Sequence, residues 1–300
     1  MANDQYELLD AGGGRKLERY GPFVLDRPCA QAVWQPQLAA RDWSRADAFF
    51  TREHGAQWQF RNSAVREGWE CTLAGVSMLL RPTDFGHVGM FPEHSFGWTK
   101  MQTILHDAKR AQPPNVLNLF AYSGGATIAA AQAGAMVCHL DASRKMVDWA
   151  RENAALNRLD EAPIRWITDD VQKFLKREIR RGRRYDAIVL DPPSFGRGTN
   201  QELFQIDHNM LEVLDSCRQV LAENPLFVLL TCHTPGYTPL VLSHLMTQLL
   251  PPGDIEAGEM TLPAAPGIFA VPSGTYAWWT AGKGERQDVA AASKKLRSDA

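Results

Sequence analysis

The sequence holds no Cys-x-x-Cys pair, and its five cysteines, Cys29, Cys71, Cys138, Cys217 and Cys232, are scattered and odd in number. That excludes a disulfide framework and the usual zinc spacings, so no metal is expected. No apolar run approaches the length that crosses a bilayer, so no membrane is expected either. The opening residues MANDQYELLD lack the basic start and apolar stretch of a signal peptide. The expected compartment is the reducing cytoplasm. Positive charge is not in surplus: the formal net charge is -2. Any contact with nucleic acid must therefore come from a local basic patch. Two nucleotide signatures are also missing, the full Gly-x-Gly-x-x-Gly of dinucleotide enzymes and the Gly-Lys-Ser/Thr of phosphate-gripping loops. What is present is an ordinary core-forming composition, 45% hydrophobic and 22% charged over 300 residues. It suits a large α/β domain with a smaller partner.

The texture changes along the chain. Residues 1–100 carry short apolar stretches (Phe23-Val24-Leu25, Trp58-Gln59-Phe60, and a longer one over 72–80) separated by Gly, Pro and charged residues. This predicts a small β-rich N-terminal domain with few helices. Residues 101–282 form the second domain, and 283–300 read as a polar tail. From about residue 115 strands and helices alternate. Strands are expected at 116–120, 136–140, 164–167, 187–190 and 226–231, and two more at 254–262 and 275–280. Helices are expected at 126–133, stopped by Gly134, at 143–157 behind a Ser143 cap, after Asp169 or Asp170, at 201–222, and after Pro239. Continuously apolar strands between helices indicate a mainly parallel, doubly wound Rossmann-like sheet. The last two strands suggest a hairpin that places one antiparallel strand at an edge.

Ligands bind beyond the carboxyl ends of such strands. The first strand runs into Tyr122-Ser123-Gly124-Gly125, where glycines permit close backbone approach. The second ends at Asp141, the distance downstream at which nucleotide-binding folds place an acid on ribose hydroxyls. The third ends near Asp170, placed to meet an adenine amine. Each signal alone is an ordinary turn or helix cap. Their succession at three consecutive strand ends favours a nucleoside-bearing cofactor without phosphates.

The runs Val116–Gly125, Leu140-Asp141-Ala142-Ser143, Asn153 with Leu156-Asn157, Asp170-Val171 and Asp191-Pro192-Pro193-Ser194-Phe195 resemble the class I methyltransferases of the large-subunit ribosomal RNA type. That group includes cytosine-C5 and guanine-N7 enzymes. The likeness covers about residues 85–235 and implies a seven-stranded methyltransferase sheet with S-adenosyl-L-methionine as cofactor. Gly89-Met90-Phe91-Pro92-Glu93-His94 resembles the segment that lies against the cofactor ahead of the core, which implies roles for Phe91 and Glu93. By the same resemblance Phe120, Tyr122 and Gly124 line the methionine end, Asp141 beside Ala142 holds the ribose, and Asp170 beside Val171 holds the adenine. Asp191 closes the site next to the methyl group.

At the acceptor side, Pro192 and Pro193 stiffen the backbone and remove amide donors, so the Asp191 carboxylate can bond the edge of a planar acceptor. Phe195 can stack on that acceptor, and Gly196-Arg197-Gly198 suits a basic substrate loop. Thr231-Cys232-His233-Thr234 ends the fifth strand. Carbon 5 of a pyrimidine needs a thiolate adding at carbon 6. Cytosine-C5 enzymes carry Thr-Cys or Ser-Cys here, so Cys232 resembles their nucleophile, with His233 lowering its pKa or shuttling a proton. The alternative is a small buried cysteine finishing a strand. The basic run Lys176–Arg184 reads as a solvated helix end rather than a phosphate contact. The sequence thus predicts an RNA cytosine-C5 methyltransferase acting on ribosomal RNA, with Cys232 and Asp191 catalytic. Its rivals are an enzyme of the same fold acting on a nitrogen of a purine or protein, and a non-catalytic cofactor-binding RNA assembly factor.

Overall fold

An antiparallel run opens the chain: β1 (Tyr6–Gly12), β2 (Arg15–Tyr20) and β3 (Phe23–Pro28). A single helical turn, α1 (Ala40–Trp43), precedes β4 (Ala48–Thr51) and β5 (Gln57–Phe60), which complete a five-stranded sheet in that order. The computed structural model describes residues 5–52, 55–197 and 203–282. The expected polar tail at 283–300 lies outside them. Within the first sheet Glu18 is fully buried. It binds Arg27 at 2.6 Å and Lys16 at 3.0 Å, and accepts the Tyr6 hydroxyl at 3.0 Å. A buried carboxylate requires such partners.

The apolar stretch over 72–80 is not one strand. It is the turn of a hairpin, β6 (Trp69–Leu73) and β7 (Val76–Leu80), reversed at Ala74 and Gly75, both left-handed with φ of 51° and 77°. Next comes α2 (Ser95–Asp107), which the sequence reading left unassigned. Its buried residues Gly97, Trp98, Met101 and Leu105 have helical spacing. A start of Phe96-Gly97-Trp98, poor helix formers, masks it.

Strands and helices then alternate as expected: β8 (Asn115–Leu119), α3 (Gly125–Gln132), β9 (Met136–Asp141), α4 (Arg144–Leu156), β10 (Ile164–Thr168), α5 (Val171–Arg180) and β11 (Ala187–Leu190). A short hairpin follows, β12 (Phe195–Arg197) with β13 (Leu203–Gln205), then α6 (Ile206–Val220), β14 (Phe227–Cys232), α7 (Pro239–Leu249), β15 (Gly253–Thr261) and β16 (Pro272–Ala281). The helix expected from residue 201 begins only at Ile206, because Leu203–Gln205 pairs with Phe195–Arg197 instead.

Seven strands form one sheet in the order β10-β9-β8-β11-β14-β16-β15. The first five are parallel, and β16 runs antiparallel to both β14 and β15. The antiparallel strand is therefore penultimate, not at the edge. Alternating residues feed two cores: Val116, Val189, Phe227 and Leu229 face α2, α3 and the hairpin, whereas Leu117, Leu119, Leu190 and Leu230 face α5, α6 and α7. All five cysteines are buried, and none is joined in a disulfide. Among the described residues no helix is long and apolar enough to cross a membrane. The strand order reverses at β8 and β11, and the tips there are where a ligand binds.

Candidate functional site

The chain leaves β8 through a tight turn in which Phe120, Tyr122 and Gly124 are all left-handed, with φ of 55°, 48° and 93°. Non-glycine residues hold such angles only when surrounding bonds impose them. Here Ala121 N–H donates to the Leu140 carbonyl at 3.0 Å and Tyr122 N–H donates to Asp141 Oδ2 at 2.9 Å. The other Asp141 oxygen accepts Ser143 N–H at 2.8 Å. Asp141 is thus the link between the ends of β8 and β9, and each oxygen keeps lone-pair capacity for a ligand hydroxyl. Burial raises its pKa. From below, Asn153 on α4 donates to the Ser123 carbonyl at 2.9 Å and accepts Leu79 N–H at 2.8 Å, tying the turn to β7.

A cavity of about 520 Å³ opens above these tips. That is the range of small-molecule sites. Of the residues expected to hold the cofactor, Phe91, Glu93, Phe120, Tyr122, Asp141 and Ala142 lie on its wall, together with Asp170, Val171 and Asp191. Carboxylates at the ribose position and apolar walls from Phe120, Leu140, Val171 and Phe204 match a sulfonium nucleoside. Gly124 does not line the cavity. It caps α3 and packs inward, where a Cβ would meet Ala150 Cβ at 2.9 Å. The Asp170 side chain caps α5 by accepting Lys173 N–H at 3.0 Å.

The far end of the cavity is acidic and imidazole-rich. Register pairs Leu190 with Leu230, so Asp191 emerges beside Thr231, whose hydroxyl donates to Asp191 Oδ1 at 2.7 Å. His94 Nε2 stands 3.5 Å from Asp191 Oδ2, and His233 Nε2 stands 3.8 Å from Asp191 Oδ1. Burial works to raise the Asp191 pKa, but His233 and His94 hold it well below the carboxylate range. The His94 pKa rises despite burial because Asp191 and Glu93 favour its charge. Glu93 is buried and accepts the Ser273 hydroxyl at 2.7 Å.

The thiol of Cys232 is not in this site. Strand alternation puts Thr231 and His233 on one side of β14 and Cys232 on the other, with Leu230 and Val228 in the α6 and α7 core. It is 1% exposed, and burial pushes its pKa up, the reverse of an activated nucleophile. Pro192 and Pro193 line the cavity. Phe195 is 60% exposed and off its wall, although its neighbours Ser194 and Gly196 are on it. Arg197 ends β12, and its side chain and Gly198 lie outside the described residues. Half of the six cations in the basic run Lys176–Arg184 sit on carboxylates: Arg177 on Asp169, Arg181 on Glu178 and Lys176 on Glu212.

No motif in the sequence marks the opposite wall. Lys16, Arg27, Phe50, Arg52 and Phe85 reach the cavity from the first sheet and the loop after β7. Nor is His94 singled out there, although His94 ends the 3-10 turn Pro92–His94 that carries Glu93.

A sequence-family profile for S-adenosylmethionine-dependent methyltransferases matches residues 50–235. A crystal structure of a SAM-dependent methyltransferase from Agrobacterium tumefaciens is 39% identical, covers 93% of this chain and 91% of its own, and superposes with a TM-score of 0.87. A Streptococcus mutans methyltransferase structure, 19% identical with a TM-score of 0.72 over 93% of this chain and 76% of its own, shares the fold. Among curated relatives, ribosomal RNA large subunit methyltransferase I of Escherichia coli is 33% identical over 85% of this chain, and that of Shigella boydii is 29% identical over the same share. The chain spans 66% of the length of those relatives.

Proposed function

Because the chain belongs to the S-adenosylmethionine-dependent methyltransferases, we propose that it methylates a base of large-subunit ribosomal RNA, at a nitrogen held by Asp191 and His233. S-adenosylmethionine is the cofactor and supplies an electrophilic methyl carbon. Asp141 holds the ribose hydroxyls, Asp170 and Val171 border the adenine, and Phe91, Phe120 and Tyr122 enclose the methionine end. The roles given to Glu93 and Ala142 follow from their places on the same wall.

The observation that carries the choice of acceptor is the placement of Asp191 and His233 together on the cavity wall, His233 Nε2 3.8 Å from Asp191 Oδ1, while the Cys232 thiol faces the core. Asp191 accepts an N–H from the acceptor base and fixes the nitrogen in line with the methyl carbon. His233 Nε2 takes the proton that methylation makes acidic. Pro192 and Pro193 keep this carboxylate in place and leave no amide to compete for it. RNA as the substrate is supported by what the Escherichia coli and Shigella relatives are named for. Two exposed aromatics beside the opening, Phe85 at 75% and Phe195 at 60%, suit stacking against a flipped base.

The test is transfer of labelled methyl groups to ribosomal RNA from cells lacking the protein, followed by nucleoside analysis. Label in an N-methylated nucleoside, retained within about threefold in Cys232→Ala, supports the proposal. Label in 5-methylcytosine that vanishes in Cys232→Ala restores the covalent carbon-5 reading. Label on protein alone rejects RNA as the substrate.

A further inference from the structure

We propose that His94, Asp191 and His233 form a binding site for a divalent transition-metal ion of the Zn²⁺ type, with a remaining coordination position open to the cavity. The three donors come from three separate elements: the end of the 3-10 turn, the loop after β11 and the residue after β14. Their donor atoms all lie within 4.8 Å of one another. The separations are 3.4 Å between the two Nε2 atoms, 3.5 Å from His94 Nε2 to Asp191 Oδ2 and 3.8 Å from His233 Nε2 to Asp191 Oδ1. Four-coordinate zinc with bonds of about 2.0–2.1 Å places neighbouring donors about 3.3 Å apart. The two imidazoles face opposite oxygens of Asp191, so an ion held by all three takes that carboxylate through both oxygens or draws one donor in from a separation of up to 4.8 Å.

The surroundings have the form that orients metal ligands. Glu93 Oε1 is 3.9 Å from His233 Nδ1, the ring nitrogen turned away from the other donors, and Ser273 fixes that carboxylate. Carboxylates in this position select the imidazole tautomer that presents its other nitrogen to a metal. Thr231 does the same for Asp191 by occupying one lone pair of Oδ1. Two imidazoles and one carboxylate suit zinc, iron, nickel or copper better than magnesium or calcium, which prefer all-oxygen sites. Asp191 and His233 line the cavity while His94 stands behind them, so the open position faces the acceptor. An ion there would occupy His233 Nε2 and so replace that nitrogen as the proton acceptor, instead polarising a coordinated acceptor atom and easing loss of its proton to water. The site does not depend on the acceptor being RNA.

The experiment uses the full chain without an affinity tag, stripped with chelator and titrated calorimetrically with ZnCl₂. One equivalent is expected to bind. His233→Ala and Asp191→Asn should each weaken binding by at least about 10-fold, and Glu93→Gln by about 10-fold through the imidazole it orients. Circular dichroism and thermal midpoints check that the variants fold, and His94→Gln replaces any that does not. Binding of S-adenosylhomocysteine to the same stripped chain is read separately, so loss of the ion site leaves the cofactor reading intact. No zinc binding by the folded chain, or binding that survives His233→Ala and Asp191→Asn, overturns the proposal.

Discussion

Gly124 shows how much one residue decides. It is left-handed at 93° and faces Ala150 at a distance no Cβ tolerates. Gly124→Ala should therefore cost about 1–3 kcal/mol, measured by urea unfolding, with cofactor affinity falling as the turn shifts. A variant as stable as the parent would show that the turn relaxes freely. The Gly-Gly signal was readable because the turn needs that backbone locally. Asp141, Asp170 and Asp191 were readable for a similar reason: each sits at a strand end, where the fold puts its ligands. Cys232 was expected on the cavity side, and a single step of alternation places its side chain in the α6 and α7 core instead. Nothing in Thr231-Cys232-His233 reveals which of the three faces the cavity until β16 and β11 fix the strand on both sides. His94 and His233 are 139 residues apart, and no local pattern joins them.

Among the elements, the hairpin β6–β7 depends on α4. Asn153 accepts Leu79 N–H and donates to Ser123, while Asn157 accepts Ser77 N–H at 3.0 Å and donates to its carbonyl at 2.6 Å. Two amide side chains one helical turn apart thus serve as a neighbouring strand for β7. Asn153→Ala strands two backbone groups and should cost about 2–4 kcal/mol, read from the denaturation midpoint, and loosen the cofactor turn as well. The sequence displayed both asparagines but not their partners, which lie 74 and 80 residues away. In the first sheet, burial raises the Glu18 pKa, but Arg27 and Lys16 outweigh it and hold the group below its ordinary 4.5. A depressed carboxylate stabilises fully above the unfolded value and loses that contribution as pH falls through the folded one. Stability should therefore drop below about pH 4 in the parent and less steeply in Glu18→Gln, which at neutral pH should cost about 3–5 kcal/mol by leaving Arg27 uncompensated. Acid unfolding curves of the two proteins that run parallel would contradict this. The network reaches the site, because Arg27 also donates to the Gly86 carbonyl at 3.0 Å, in the loop leading to Phe91.

Over the whole molecule, the alternating half was legible because its apolar runs and strand ends repeat one short-range rule. The first hundred residues were not, because their sheet is built from charged and aromatic strands whose partners are set by long-range register. That sheet nonetheless closes the cavity, bringing Lys16, Arg27 and Arg52 over the strand tips. The central claim is that these tips, tied together by Asp141, hold a sulfonium nucleoside. Calorimetric titration of S-adenosylhomocysteine into the parent and into Asp141→Ala tests it most directly. Saturable binding at one site, weakened about 10- to 100-fold by the substitution in a protein that still folds, is the expected result. No heat with the parent, or equal affinity in both, would contradict it.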